Sequence, residues 1–309
     1  MASPAPPADA DVTYHCKFFQ IHKDGTVKVH NPLLERADPP PPSSKTQYRD
    51  VVVSEKDNIT ARIFLPEIRP GSSPDKLPII VYFHGGGFCM FSPYHPRYHR
   101  YCANLAEDTA AIVVSVDYGL FPDRPIPACY DDSWAALKWV ASHGSGSVSK
   151  PDPWLAEYGD FNKVFIAGDS AGGNICHTVA YRVGSEGLDG VKLIGAILFH
   201  PFFGGTEDDW IWMKMCPTNS GLDDPRMNPG EADLARLGVE KVLIFVAEKD
   251  HLCDPGKRYY EKLKRSGWKG TAEIVENLDR EHCFHVGQEA DDEQVADMRR
   301  RVAAFVGGV

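Results

Sequence analysis

Residues 163–174 read KVFIAGDSAGGN: a short apolar strand (Val164 to Ala167), a tight turn and the opening of a helix. The turn carries Gly168-Asp169-Ser170-Ala171-Gly172, a G-x-S-x-G sequence between strand and helix, which is the setting of a nucleophile elbow. A serine on so sharp a turn sits in strained backbone, and a side chain two residues to either side would collide with it; glycine at both flanks relieves the clash and leaves the hydroxyl exposed. The helix that follows aims its free N–H groups and positive dipole end at the same point. Small residues crowd many strand-to-helix turns, so this one acquires meaning only from the rest of the chain.

Outward from this turn, continuous apolar runs recur: IIVYF (79–83), AIVVSV (111–116), LIGAILF (193–199), VLIFVA (242–247) and AEIVEN (272–277). Such runs suit strands covered on both faces, hence a mostly parallel sheet. Helical stretches separate most of them: Tyr98–Thr109, Tyr130–Ser142, Gly173–Gly184, Pro255–Gly267 and about Asp292 to Val306. Alternating strand and helix over this length predicts a doubly wound α/β architecture, one domain over residues 1–309. Two regions fit neither pattern, and both are expected to form a small cap. Within residues 1–45, a Pro/Ala-rich start precedes a hairpin over Phe18–Val29, turning at Asp24-Gly25, and a polyproline spacer, Pro39 to Pro42. Residues 202–228 form an insertion rich in Gly, Asp, Trp, Met and Pro; there Trp210, Trp212, Met213 and Met215 either line a pocket or pack a small helix down, and both can hold. Between the hairpin and the first long strand, Tyr48–Ser54 and Ile59–Leu65 alternate as an antiparallel pair.

Composition narrows the classes of function. The 309 residues are 43% hydrophobic and 25% charged, ordinary for a globular domain, and the formal charge of -10 argues against nucleic acid or an anionic membrane as partner. No apolar run reaches the length of a membrane span. The N-terminus lacks the basic and apolar regions of a secretory signal, and the eight scattered cysteines read as reduced structural thiols, so the expected compartment is the cytoplasm. A monomer or weak homodimer acting on a small molecule is the expected state.

Acyl transfer through a serine needs oxyanion donors, a base and an acid to orient the base. The strand LPIIVYF runs into His84-Gly85-Gly86-Gly87-Phe88, whose glycines let backbone N–H groups approach a carbonyl oxygen; Gly86, Gly87 and Ala171 would be the donors. The strand ending at Ala247 leads into Glu248, Asp250 and Asp254. Asp254 precedes Pro255 and suits a helix N-cap, Glu248 is the weakest candidate, and Asp250, in the loop itself, is the expected acid. After one more strand come His282 and His285, three apart; of the twelve histidines, His99, His143 and His200 need no special role.

These motifs resemble the hormone-sensitive-lipase-like branch of the α/β hydrolases, and more closely the plant carboxylesterases. His84 to Phe88, Gly168 to Asn174, Asp250-x-Leu252-x-Asp254 and His282-x-Phe284 carry the resemblance, with Tyr130 to Leu137, Ser220 to Pro225 and Phe19 to Val29 in support. It implies an α/β-hydrolase fold, Ser170 as nucleophile, His282 as base, Asp250 as its partner, and a carboxylesterase needing no metal or organic cofactor. Two departures stand out. Tyr118-Gly119-Leu120-Phe121-Pro122-Asp123 lacks the arginine of the family's Tyr-Arg-Leu-Ala-Pro-Glu, which implies a missing structural ion pair. The stretch between Phe203 and Pro217 is short for the family, implying an open pocket. No basic residue decorates the motifs, so small esters of uncharged acids are the expected substrates. The same resemblance carries rival readings: a dehydratase like 2-hydroxyisoflavanone dehydratase, lactone-forming acyl transfer, and a hormone receptor, the last disfavoured because His282 is retained.

Overall fold

The computed structural model describes residues 11–30, 45–68, 76–287 and 292–308. The chain opens with β1 (Val12–His15), β2 (Phe19–His22) and β3 (Val27–Val29), an antiparallel three-stranded sheet. The β2–β3 turn is the expected one: Gly25 takes φ +86° and the Thr26 N–H donates to the Asp24 carboxylate at 2.8 Å. The first strand was not legible in the sequence, and the expected polyproline spacer lies outside the described residues.

The main sheet comprises β4 (Gln47–Ser54), β5 (Ile59–Leu65), β6 (Leu77–Phe83), β7 (Ile112–Asp117), β8 (Gly159–Asp169), β9 (Leu193–Phe199), β10 (Lys241–Ala247) and β11 (Thr271–Asn277), in the order β11-β10-β9-β8-β6-β7-β5-β4. All neighbours from β11 through to β7 pair in parallel; β5 and β4 complete one edge antiparallel. Helices α1 (Pro96–Thr109), α2 (Ala128–Gly144), α3 (Pro153–Tyr158), α4 (Ala171–Glu186), α5 (Asp208–Met215), α6 (Glu231–Leu234), α7 (Cys253–Arg265) and α8 (Glu293–Gly307) connect or flank the strands. The continuous apolar runs have the expected cause. Alternate residues of β6 enter opposite cores, Ile79, Val81 and Phe83 on one face, Ile80 and Tyr82 on the other. The first face is covered by α2, α4 and α7 through Leu137, Ile175 and Leu263, the second by α1 and α8 through Leu105 and Val302. This is the α/β-hydrolase arrangement that the sequence implied.

Strand order also locates the site. From β6 the chain moves to β7 on one side, then returns to β8 on the other, so the order reverses between β6 and β8. Loops leaving adjacent strands at such a reversal diverge and open a crevice at the carboxyl end of the sheet. The glycine loop follows β6 and Ser170 follows β8.

Local details depart from the sequence reading. Helix α7 starts at Cys253 with Leu252 as its N-cap, so Asp254 lies in the first turn rather than capping it. Beside Gly119, where the family's arginine is missing, an ion pair is nevertheless present: Arg124 makes a bidentate pair with Asp132 at 2.6 and 2.9 Å, and the Gly119 N–H donates to the same carboxylate at 2.8 Å. A Cβ at position 119 would stand 2.8 Å from Arg124 Cδ and 2.9 Å from Arg124 Cβ, so the aliphatic stem of this arginine occupies the space that a side chain there would need.

Candidate active site

Strand β8 ends at Asp169 and α4 begins at Ala171, leaving Ser170 alone at the turn with φ +54° and ψ −114°. A non-glycine residue there is strained by about 1–3 kcal/mol. The bonds from the Ser170 N–H to Phe199 O and from the Phe202 N–H to Ser170 O, both 2.9 Å, hold it. The flanking glycines are required by close approach: a Cβ on Gly172 would lie 1.9 Å from Phe83 O, and one on Gly168 would lie 2.5 Å from the Gly172 backbone.

The hydroxyl of Ser170 lies 2.9 Å from His282 Nε2, and His282 Nδ1 lies 2.6 Å from Asp250 Oδ2. A carboxylate can only accept, so the imidazole proton sits on Nδ1 and Nε2 is free to accept from the serine. Asp250 follows β10, and its side chain is 1% exposed. Burial favours its neutral form, but hydrogen bonds from His251, His282 and the Leu252 N–H outweigh that and hold the carboxyl well below the usual carboxylate range. The competing residues do other work. Glu248 is exposed and accepts from the Asp279 N–H at 2.7 Å. His285 is buried, stacked on Phe199 at 4.8 Å between centroids, and neither of its ring nitrogens has a partner among the described residues. Burial drives its pKa well below that of an ordinary imidazole, so it stays neutral.

Beside the serine, Gly86 (φ +110°) and Gly87 (φ +58°) form the loop after β6, and among the described residues neither N–H meets an acceptor. Ala171 is the first residue of α4, where an N–H has no intrahelical partner. Asp169 binds this loop to the elbow: its carboxylate accepts from the Gly85 N–H (3.0 Å) and from the Tyr82 and Tyr98 hydroxyls (2.6 and 2.8 Å). The sequence reading assigns Asp169 no role; only the contact across β6 and β8 reveals one. His200, set aside in the same reading, is also engaged. Burial pushes it down to about 3, and the resulting neutral Nδ1 accepts the Cys283 N–H at 3.0 Å, fixing the loop that carries His282.

The pocket over Ser170 holds about 420 Å³, open mouth included. Its walls are Phe18, Phe88 and Phe202 with Ile211, Trp212 and Met215 of α5, so the N-terminal segment and the 202–228 insertion both cover the site. Trp212 fulfils both readings of that insertion: it lines the pocket and donates from Nε1 to the Tyr130 hydroxyl at 3.2 Å. Trp210 does neither, being 61% exposed. Basic groups are present at the pocket after all. Lys17 and His251 line one wall, each paired with Asp208. Among the described residues no cluster of His, Cys, Asp and Glu could hold a metal ion, all eight cysteines are free, and no helix is long and apolar enough to cross a membrane.

Known proteins share this architecture. The family model for the alpha/beta hydrolase fold matches residues 80–286. A 2-hydroxyisoflavanone dehydratase of Glycyrrhiza echinata is 38% identical, the match covering 93% of each chain. A probable carboxylesterase 2 of Arabidopsis thaliana is 37% identical over 94% of each. Among solved structures, an esterase of Pyrobaculum calidifontis superposes with a TM-score of 0.69 at 28% identity, covering 85% of each chain. The chain belongs to the α/β-hydrolase fold family, with esterases and a dehydratase among its relatives.

Proposed function

We propose that the protein is a serine carboxylesterase acting on small esters through an acyl-enzyme. The observation that carries this reading is the unbroken hydrogen-bond chain from Ser170 through His282 to Asp250. In the first half-reaction the Ser170 oxygen bonds to the ester carbonyl carbon while His282 Nε2 takes the hydroxyl proton. Asp250 stabilises the imidazolium so formed, and the carbonyl oxygen gathers charge beside the N–H groups of Gly86, Gly87 and Ala171. His282 returns the proton to the departing alkoxide. Water then enters and its oxygen bonds to the acyl carbon while His282 Nε2 takes its proton; as the bond from that carbon to the Ser170 oxygen breaks and the acid leaves, His282 returns the proton to Ser170. The apolar walls suit an uncharged acyl or alcohol group, and no metal or organic cofactor takes part. We place this activity in the cytoplasm, in a monomer or weak homodimer.

A second reading has one specific support, the 38% identity to a protein named 2-hydroxyisoflavanone dehydratase. Elimination of water would use His282 as base and would not need the Ser170 nucleophile. Hydrolysis of p-nitrophenyl esters of increasing chain length, by the protein and by its Ser170→Ala variant, separates the two. Turnover that vanishes in the variant supports the esterase; absence of turnover in both leaves elimination as the chemistry.

A further inference from the structure

Four segments distant in sequence meet at one wall of the pocket. Lys17 comes from the N-terminal segment, Asp208 opens α5, His251 follows Asp250 in the loop before α7, and His282 follows β11. Lys17 Nζ lies 2.8 Å from Asp208 Oδ1, and His251 Nε2 lies 2.8 Å from Asp208 Oδ2. The other ring nitrogen, His251 Nδ1, lies 3.3 Å from Asp250 Oδ1, whose sister oxygen carries His282. One imidazole therefore stands between two carboxylates, that of Asp208 15% exposed and that of Asp250 1% exposed. Carboxylates accept and do not donate, so serving both requires a proton on each ring nitrogen. The hydrogen bonds to Asp208 and then Asp250 raise the His251 pKa to about 9, against the opposing effects of burial and Lys17.

We infer that His251 is a positioning residue, a charged latch that ties the α5 cap to the catalytic loop and tempers the charge that Asp250 presents to His282. The inference rests on the esterase reading for its kinetic consequence, though not for its geometry. The cap half follows from α5, which supplies Ile211, Trp212 and Met215 to the pocket wall: letting go of Asp208 loosens that wall. The electrostatic half follows from the 6.0 Å between the His251 and His282 ring centroids. A cation there opposes a second positive charge on His282 and competes for the carboxylate that would stabilise it. Among the described residues, Lys17, Asp208, Asp250 and His282 are the charged and titratable groups facing the imidazole from the elements around it.

The two halves separate by mutation. His251→Gln keeps a donor but cannot be cationic, so the charge opposing an imidazolium at the catalytic base is removed. The acid limb of kcat/KM then moves up by about one pH unit, and KM rises several-fold as α5 loosens. Asp208→Asn frees α5 while leaving the cation beside Asp250, so KM rises and the acid limb stays where it is. The double variant is no worse in KM than His251→Gln alone, as expected of two residues in one contact. Unmoved profiles and KM in both variants overturn the latch, as does a loss of thermal stability without a shift of the limb. Titration of His251 by histidine NMR, which needs no turnover, tests the bridge if no ester is hydrolysed. The latch requires a proton held to about pH 9 in the unmodified protein and, in Asp208→Asn, released at lower pH but still above the acid limb, because Asp250 remains beside the ring. A midpoint near that of a free imidazole refutes it even where the esterase reading stands.

Discussion

Replacing Gly86 and Gly87 by alanine, one at a time, tests whether this loop is an oxyanion site, because the two positions differ sharply in what a methyl group meets. At Gly86 the backbone has φ +110°, outside the left-handed region open to alanine, and the new Cβ would lie 2.4 Å from Met90 O. That oxygen is main chain and cannot swing aside. The turn is further locked by bonds from the Cys89 and Met90 N–H groups to Gly86 O at 3.1 and 3.0 Å. The strain can be relieved only by rotating the peptides at 86 and 87, which takes their N–H groups off the oxyanion. Loss of one such donor costs about 10²–10³ in kcat, or about 2.7–4 kcal/mol of transition-state stabilisation. At Gly87 φ is +58°, a conformation alanine adopts at a cost of about 1–2 kcal/mol. The three atoms nearest its Cβ would all belong to the Phe18 ring, the first at 2.9 Å, a side chain that can turn away. Steady-state kinetics on p-nitrophenyl acetate, with thermal unfolding to confirm the fold, should therefore show Gly86→Ala losing kcat at nearly constant KM. Gly87→Ala should show mainly a raised KM, since Phe18 lines the pocket. A Gly86→Ala variant within about threefold of normal kcat, or the reverse ranking, refutes the reasoning.

Other substitutions probe the surrounding framework. His282→Ala should lower kcat by about 10⁴-fold or more, whereas His285→Ala should cost about 1–3 kcal/mol of stability and leave kcat nearly unchanged; kinetics and denaturant unfolding of both distinguish catalysis from packing. Asp224, with a side chain 2% exposed, pairs with Arg226, whose guanidinium lies 5.4 Å from the Trp212 ring of α5, so Asp224→Ala should cost about 3 kcal/mol. Burial opposes ionisation of Asp224, but the bonds from Arg226 and from the Ser220 and Arg226 N–H groups bring its pKa down to about 2. Its contribution is thus present above the usual aspartate pKa and lost as pH falls through about 2, and the difference in thermal midpoint between protein and variant should close over that range.

What could be read in the sequence was whatever a local pattern fixes. The runs of β6, β8 and β10 announce themselves because both faces of the sheet are covered, and Gly168, Gly172 and Gly86 because backbone approach at those points excludes a side chain. Contacts between segments were hidden. Asp169, His200 and His251 act through partners 84, 83 and 43 residues away, and no spacing within one strand or helix encodes those. Arg124 shows the same limit. The arginine missing at position 119 implies a missing ion pair, yet a residue further along the chain, Arg124, fills the space and pairs with Asp132. Asp254 was read as a cap because it precedes proline, but the Asp250 oxygens accept the Leu252 and Cys253 N–H groups and start α7 earlier.

The central claim is that Ser170 is an activated nucleophile, and an organophosphate tests it without knowledge of the natural substrate. Incubation with diethyl p-nitrophenyl phosphate should release p-nitrophenol and leave a diethylphosphoryl group that peptide mass mapping finds on Ser170. The Ser170→Ala variant should acquire no label and hydrolyse no ester. An unlabelled Ser170 in a folded protein, or full ester turnover by the variant, contradicts the account.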